Sequence, residues 1–258
     1  SDFPTSASAT QPTYGGGDSD GCAFRLNANL TTLEWSTFIG ASGEDSGYGI
    51  QLNSAGEMYV TGGTTSPDLN ISASAHLSSH SGFIDGYVVR YNSTGSALLS
   101  STFIGTSEYD QAYFVQLDVN DDVYVVGQTT GSYPVTASCY NNPNSGQFIQ
   151  KYSPNLSTSL WSTVIGTGSG QVDFSPSAFL VNDCGLIYIS GWGGALAGLG
   201  TYQADFSTTN GLPISTGPSN PAFQSTTDGS DFYLMVLNED ANGLLYATYF
   251  GGGISTEH

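Results

Sequence analysis

Short apolar runs broken by single polar residues recur along the whole chain, and none keeps the roughly 3.6-residue spacing of an amphipathic helix. The stretch 41–105 shows the pattern in full. Gly49-Ile-Gln-Leu52 reads as a short strand, Asn53-Ser-Ala-Gly56 as a tight turn whose glycine supplies positive φ, and Glu57-Met-Tyr-Val-Thr61 as the returning strand. A loop rich in Ser, Asn and Pro, from about Gly63 to Asp85, leads to a second pair. That pair is Gly86-Tyr-Val-Val-Arg-Tyr91 and Ala97–Ile104, joined by the turn Asn92-Ser-Thr-Gly95. Four antiparallel strands in one meander are predicted.

The same order returns along the chain. It is marked by Trp35-Ser-Thr-Phe-Ile-Gly40, Ser100-Ser-Thr-Phe-Ile-Gly105, Trp161-Ser-Thr-Val-Ile-Gly166 and Tyr246-Ala-Thr-Tyr-Phe-Gly251, at intervals of 65, 61 and 85 residues. A second phrase recurs as Tyr59-Val-Thr-Gly62, Tyr124-Val-Val-Gly127 and Tyr188-Ile-Ser-Gly191. A fixed period of this size marks a repeat architecture, in which each unit buries its faces by stacking on its neighbours. The stretched last interval comes from an inserted loop that opens at Trp192-Gly-Gly194 and runs through Pro221.

Serial four-stranded units without helical periodicity predict an all-β fold, a β-propeller built of four-stranded antiparallel blades. The expected boundaries are 1–40 for the outer half of one blade, 41–105 and 106–166 for two whole blades, 167–251 for a blade with the long insertion, and 252–258 for the start of the next. That is about three and a half blades, a fragment of a larger ring. The chain has no initiating Met or signal peptide and reads as a mature or excised segment. The half blade leaves a sheet edge open beside residues 22–40, a site for aggregation or for pairing with another chain.

Several phrases together resemble a known family. Ser1-Asp-Phe-Pro-Thr5, Ala23-Phe-Arg-Leu26, Trp35-Ser-Thr-Phe-Ile-Gly40 and Ala55-Gly-Glu-Met-Tyr-Val-Thr-Gly-Gly-Thr64 are similar to the bacterial β-propeller repeat called SBBP. The likeness spans nearly the whole chain. Ser190-Gly-Trp-Gly-Gly194, the stretch Ala222–Tyr233 and Tyr246-Ala-Thr-Tyr-Phe-Gly251 narrow it to very large surface proteins of Bacteroidota. Those often end in a gliding-motility-associated sorting domain and leave the cell by the type 9 secretion system. The resemblance implies an extracellular, cell-surface location, further blades of the same polypeptide as partners, and a part in adhesion or motility. It supplies no catalytic residues.

Charge narrows the partners. With 22 acidic residues against 3 Lys or Arg and a net charge of −19, the chain lacks the basic footprint that nucleic acid or an anionic membrane surface requires. No stretch approaches the roughly 18 apolar residues of a membrane-spanning helix. The acidity fits solubility outside the cell, with divalent-cation binding as the second reading.

Candidate chemistry is sparse. Asp118-Val-Asn-Asp-Asp122 resembles the start of a calcium loop, which makes Asp118, Asp121 and Asp122 the calcium candidates; the competing reading is a hairpin turn capped by its own side chains. No other cofactor is expected. His76 and His80 fall in a Ser-rich loop with no flanking carboxylate cluster and read as surface histidines. Trp192, Tyr202 and Phe206 lie in the long insertion, either packed beneath it or exposed to stack on sugar rings. Cys139 and Cys184 occupy loops of adjacent repeats and are candidates for a disulfide in an exported protein, with Cys22 left over. No Gly-x-Ser-x-Gly elbow and no phosphate-binding glycine loop is present. No catalytic residue is assigned; the rival to a binding or structural module is a carbohydrate-binding or polysaccharide-degrading domain.

The three basic residues, Arg25, Arg90 and Lys151, share one position of the repeat, on the third strand of successive units. An unpaired cation between covered faces is costly, so each needs a carboxylate. Asp45, Asp110 and Asp173 recur just before the first strands and are the expected partners, forming inter-blade pairs.

Overall fold

The computed structural model describes residues 2–195 and 206–252. Strands dominate it, and the only helical turn among these residues is the 3-10 turn Glu239–Ala241. A first sheet holds β1 (Gly21–Leu26) and β2 (Leu33–Ile39). A second holds β3 (Asp45–Leu52), β4 (Met58–Thr64), β5 (Asp85–Tyr91) and β6 (Leu98–Ile104), hydrogen-bonded in that order. A third runs in the same sequential order through β7 (Asp110–Leu117), β8 (Val123–Thr129), β9 (Gln147–Tyr152) and β10 (Ser159–Ile165).

The fourth sheet begins with β11 (Ser175–Val181) and β12 (Ile187–Trp192). The insertion then forms two small hairpins, β13 (Gly194–Ala195) with β14 (Phe206–Ser207) and β15 (Thr216–Gly217) with β16 (Asn220–Pro221). β17 (Phe232–Leu237) and β18 (Leu244–Phe250) complete the four-stranded sheet in the order β11-β12-β17-β18. Every expected strand is present and every named pairing is antiparallel. The first strands begin earlier than the apolar pattern suggests: β3 starts at Asp45, where a buried carboxylate rather than an apolar side chain anchors the chain.

The chain divides into two compact units, Ser1–Gly127 with Lys151–Leu160, and Gln128–Gln150 with Trp161–His258. In the first unit, alternation sends Ala23 of β1, Val60 of β4, Tyr87, Val89 and Tyr91 of β5, and Trp35 and Phe103 of the outer strands into one buried cluster. Close approach explains particular glycines. A Cβ on Gly49 would fall 2.8 Å from the Tyr113 carbonyl oxygen, so β3 lies against the β7 backbone with no room for a side chain. In the second unit, Phe174, Tyr233 and Tyr249 pack in series, with ring centroids 5.8 Å apart at each step.

Candidate functional site

Asp45, Asp110 and Asp173 do one job. Each accepts from the backbone N–H of the residue that follows a phrase glycine: Ala41 at 2.8 Å, Thr106 at 2.6 Å and Thr167 at 2.8 Å. Hydroxyls complete the grip. Thr64 and Ser66 donate to Asp45 at 2.5 and 2.8 Å, and the Thr106 and Thr167 hydroxyls donate to Asp110 and Asp173 at 2.7 and 2.6 Å. These carboxylates therefore tie down the connections that enter β3, β7 and β11. Burial pushes the Asp45 and Asp173 carboxyls above the usual carboxylate range, and the hydrogen bonds pull part of the way back.

The expected ion pairs with these three aspartates are corrected by the structure. Arg25 pairs with Glu34 at 2.5 Å, Arg90 with Glu57, and Lys151 with both Asp118 and Asp122 at 3.0 and 3.1 Å. Strand register is the reason. Arg90 lies opposite Tyr59, at the hairpin end of β4, whereas Asp45 lies opposite Thr64 at the other end. Five residues of extended chain separate Arg90 from Asp85, the residue opposite Thr64, a span of roughly 17 Å. The carboxylate within reach is the one at the close of the hairpin turn, Glu57 or Asp122.

Each cation also reaches beyond its acid. The Arg90 guanidinium lies 5.5 Å from the Tyr59 ring centre and Lys151 Nζ lies 4.9 Å from that of Tyr124, both in cation–π range. Arg25 Nη1 donates to the Ser93 carbonyl at 2.9 Å, and Arg90 Nη1 donates to the Pro154 carbonyl at 3.1 Å. Ser93 and Pro154 hold the same place in the turns after β5 and β9, so these arginines do join neighbouring sheets, through a turn carbonyl instead of an aspartate. The Arg90 contact holds the Glu57 carboxyl below its ordinary range.

This arrangement also bears on the calcium candidates. Asp118 and Asp122 converge on the Lys151 ammonium, so a protein cation already occupies that position, while Asp121 turns away and accepts from the Ser54 hydroxyl at 2.9 Å. Asp118 Oδ1 further accepts from the backbone N–H groups of Asn120 and Asp122, as a turn-capping side chain does. No group of three or more metal-ligating side chains occurs among the described residues.

The remaining candidates lie on different elements. Trp192 is the last residue of β12, not a loop residue, with Ser175 on one side and Phe232 on the other. Phe206 opens β14 opposite Ala195, and Tyr202 lies outside the described residues. The pairing of Cys139 with Cys184 that the sequence left open is not formed: all three cysteines are free, with Cys139 buried and directed at the Asp240 carbonyl and Cys184 exposed. His76 meets the Tyr152 ring edge-on at 5.7 Å and His80 meets Phe103 at 5.6 Å, so both pack on aromatic rings. Burial lowers the His76 pKa.

A polar cavity of about 440 Å³ opens at the end of β18, lined by Gln224, Thr226, Thr227, Asp228, Asp231 and Gly251. Composition alone did not point to it. Gln224 Nε2 donates to Asp231 at 3.0 Å and Gly251 N donates to Gln224 Oε1 at 3.1 Å. The first sheet holds the same lock, with Gln11 Nε2 donating to Asp20 at 3.3 Å and Gly40 N to Gln11 Oε1 at 3.1 Å. There the adjoining space is filled: a Cβ on Gly40 would fall 2.9 Å from Asp45 Oδ2. The Gln–Asp pair is therefore a recurring structural element, and hydroxyl, amide and carboxylate groups beside it present hydrogen-bonding edges to solvent.

No protein-family model and no curated protein matches the chain.

Proposed function

We propose that the chain is a non-enzymatic β-propeller scaffold and interaction module of a secreted, cell-surface bacterial protein, acting in adhesion or motility. The four-stranded units are its blades, and surface glycans or other surface proteins are its partners. The observation that supports this reading is the employment of the recurring polar groups. Asp45, Asp110 and Asp173 hold chain connections, while Arg90 and Lys151 hold hairpins and Arg90 also a neighbouring turn. Charged side chains so committed give a rigid frame on which loops can vary, the usual division of labour in a binding scaffold.

A second reading, a carbohydrate-binding or polysaccharide-degrading domain, draws on the cavity at Asp228 and Asp231. Hydrolysis would need two free carboxyl groups facing one substrate, and Asp231 is already bonded by Gln224. A glycan array combined with a reducing-end assay on polysaccharides separates the readings. Binding without release of reducing ends is the expected result. Turnover that disappears in Asp228→Asn or Asp231→Asn would overturn the scaffold, and absence of any glycan or surface-protein binding would leave a purely structural segment of a surface fibre.

A further inference from the structure

The free edge of β1 differs from every other third strand in the chain. β5 pairs with β6 on one side and β4 on the other, and β17 lies between β12 and β18, but among the described residues β1 pairs with β2 alone. Register equates Arg25, opposite Trp35, with Arg90, opposite Ser100. The second and third sheets show what normally lies on that edge: a hairpin whose turn closes with the same hydrogen bonds in each case. Asn53 N donates to Glu57 O and Gly56 N to Asn53 O; Asp118 N donates to Asp122 O and Asp121 N to Asp118 O.

Charge in that hairpin follows the third strand. Arg90 has Glu57 at the close of the turn and Tyr59 beneath it; Lys151 has Asp122 and Tyr124. In the fourth sheet the turn Asn182–Leu186 has the same bonding, and Tyr188 lies opposite Val236. There the acid has become Leu186 and the cation has become Val236, so both positions turn apolar together. A cation on the third strand thus goes with an acid in the hairpin, and Arg25 is a cation. Its present partner, Glu34, comes from β2, and its side chain stays 48% exposed against 10% for Lys151.

We infer that β1 is the acceptor edge for one kind of partner: a β-hairpin of the repeat's own inner type, carrying Glu or Asp at the close of its turn and Tyr two residues later, which pairs with Gly21–Leu26 and sets its carboxylate on Arg25. Self-pairing of β1 strands from two copies would set Arg25 opposite Cys22 in the full-overlap register and so supply no acid to it. The inference stands on register and charge, independent of the scaffold reading; turnover on a polysaccharide would end that reading and leave β1 unaffected.

The test fuses a second copy of residues 45–66 directly before Ser1 of the full chain. The fused strand then reaches Gln11 over as many residues as Thr64 takes to reach Leu77, and both Gln11 and Leu77 accept from the outer strand, at Phe38 and Phe103. Amide hydrogen exchange across Gly21–Leu26 should slow by about tenfold or more, while exchange across β4 and β5 reports that the chain remains folded. Replacing the copied Glu57 by Lys should abolish most of the slowing, and combining a copied Glu57→Arg with Arg25→Glu should restore it. The free peptide 45–66, added in trans to the unmodified chain, gives the same readout without altering the protein. No slowing in either form overturns the inference. Equal slowing with the Lys hairpin would show edge pairing indifferent to the acid, and a dimer of the unmodified chain protected at β1 would assign the edge to a second copy; either result also overturns it.

Discussion

Leu30 and Leu156 are the same residue in the same turn with opposite surroundings. Each closes a hairpin turn through its N–H, to Asn27 O and Ser153 O, and each sits in the left-handed region at φ 57° and 60°. Leu156 is fully buried, whereas Leu30 is 74% exposed. Their counterparts elsewhere are small: Gly95, where a Cβ would fall 2.6 Å from the Trp35 ring, and Ala241, next to the Asp240 that accepts from Trp161 Nε1. Where the neighbouring outer strand carries Trp, the turn carries Gly or Ala. Where it carries Ser100, the turn carries Leu156. Large and small trade places so that each inter-sheet layer is filled once. A leucine in this conformation is strained, and burial is what offsets the strain at Leu156. At Leu30 nothing offsets it.

The cations repeat the lesson. Lys151 is buried between two carboxylates and an aromatic ring, while Arg25 sits at the surface beside one glutamate. Lys151→Met should give the largest loss, about 3–5 kcal/mol, because Asp118 and Asp122 would be left as uncompensated charges. Arg25→Met should cost under about 1 kcal/mol, as an exposed pair does. Chemical denaturation of the two variants measures both, and equal losses would break the comparison. Next in size, Leu156→Ala should cost about 2–5 kcal/mol by emptying a filled layer, read as a fall in unfolding midpoint at constant slope.

The pH profile sharpens the same contrast between buried and exposed acids. Burial raises the carboxyls of Asp45, Asp85 and Asp173. A raised folded-state pKa means that the folded chain holds these protons more tightly than the unfolded chain does. Their contribution is complete below the ordinary carboxylate value and is lost as pH climbs through the raised values. Glu57 runs the other way, contributing above its ordinary value and losing that as pH falls through its lowered one. The melting temperature should therefore rise as pH drops from neutral toward about 4.5 and fall again in stronger acid. Asp45→Asn should flatten the rising limb. A melting temperature that falls steadily from neutral downward would show that the buried aspartates do not govern it.

The smallest effect has the opposite sign. Leu30→Gly should stabilise the chain by about 0.5–1 kcal/mol, since glycine adopts this conformation without strain and little burial is lost. The same change at Leu156 should destabilise. Calorimetry on the pair tests this directly, and a loss at both positions would mean that Leu30 has a cover in solution.

The meander was readable from the chain because its signals are local. Alternation, Gly- and Asn-bearing turns and the recurring Trp/Ser-Ser-Thr phrase place every strand of the four sheets, and the position of each cation on its third strand follows from the repeat alone. The recurrence of Asp45, Asp110 and Asp173 was equally plain, but their partners were not. A carboxylate five to seven residues after a glycine closes on the backbone N–H beside that glycine, a contact that pattern reading mistakes for a site awaiting a cation. The one-dimensional pattern of each strand is set by which residues are apolar. Partner choice is set by antiparallel register, which brings Glu57 rather than Asp45 to Arg90. Exposure is set by whether another sheet lies against the turn, which separates Leu30 from Leu156 although the two close their turns with the same bond in the same backbone conformation. Strand formation is a short-range property and is written in short-range order; pairing and burial depend on residues far apart in sequence, and only their meeting in space decides them.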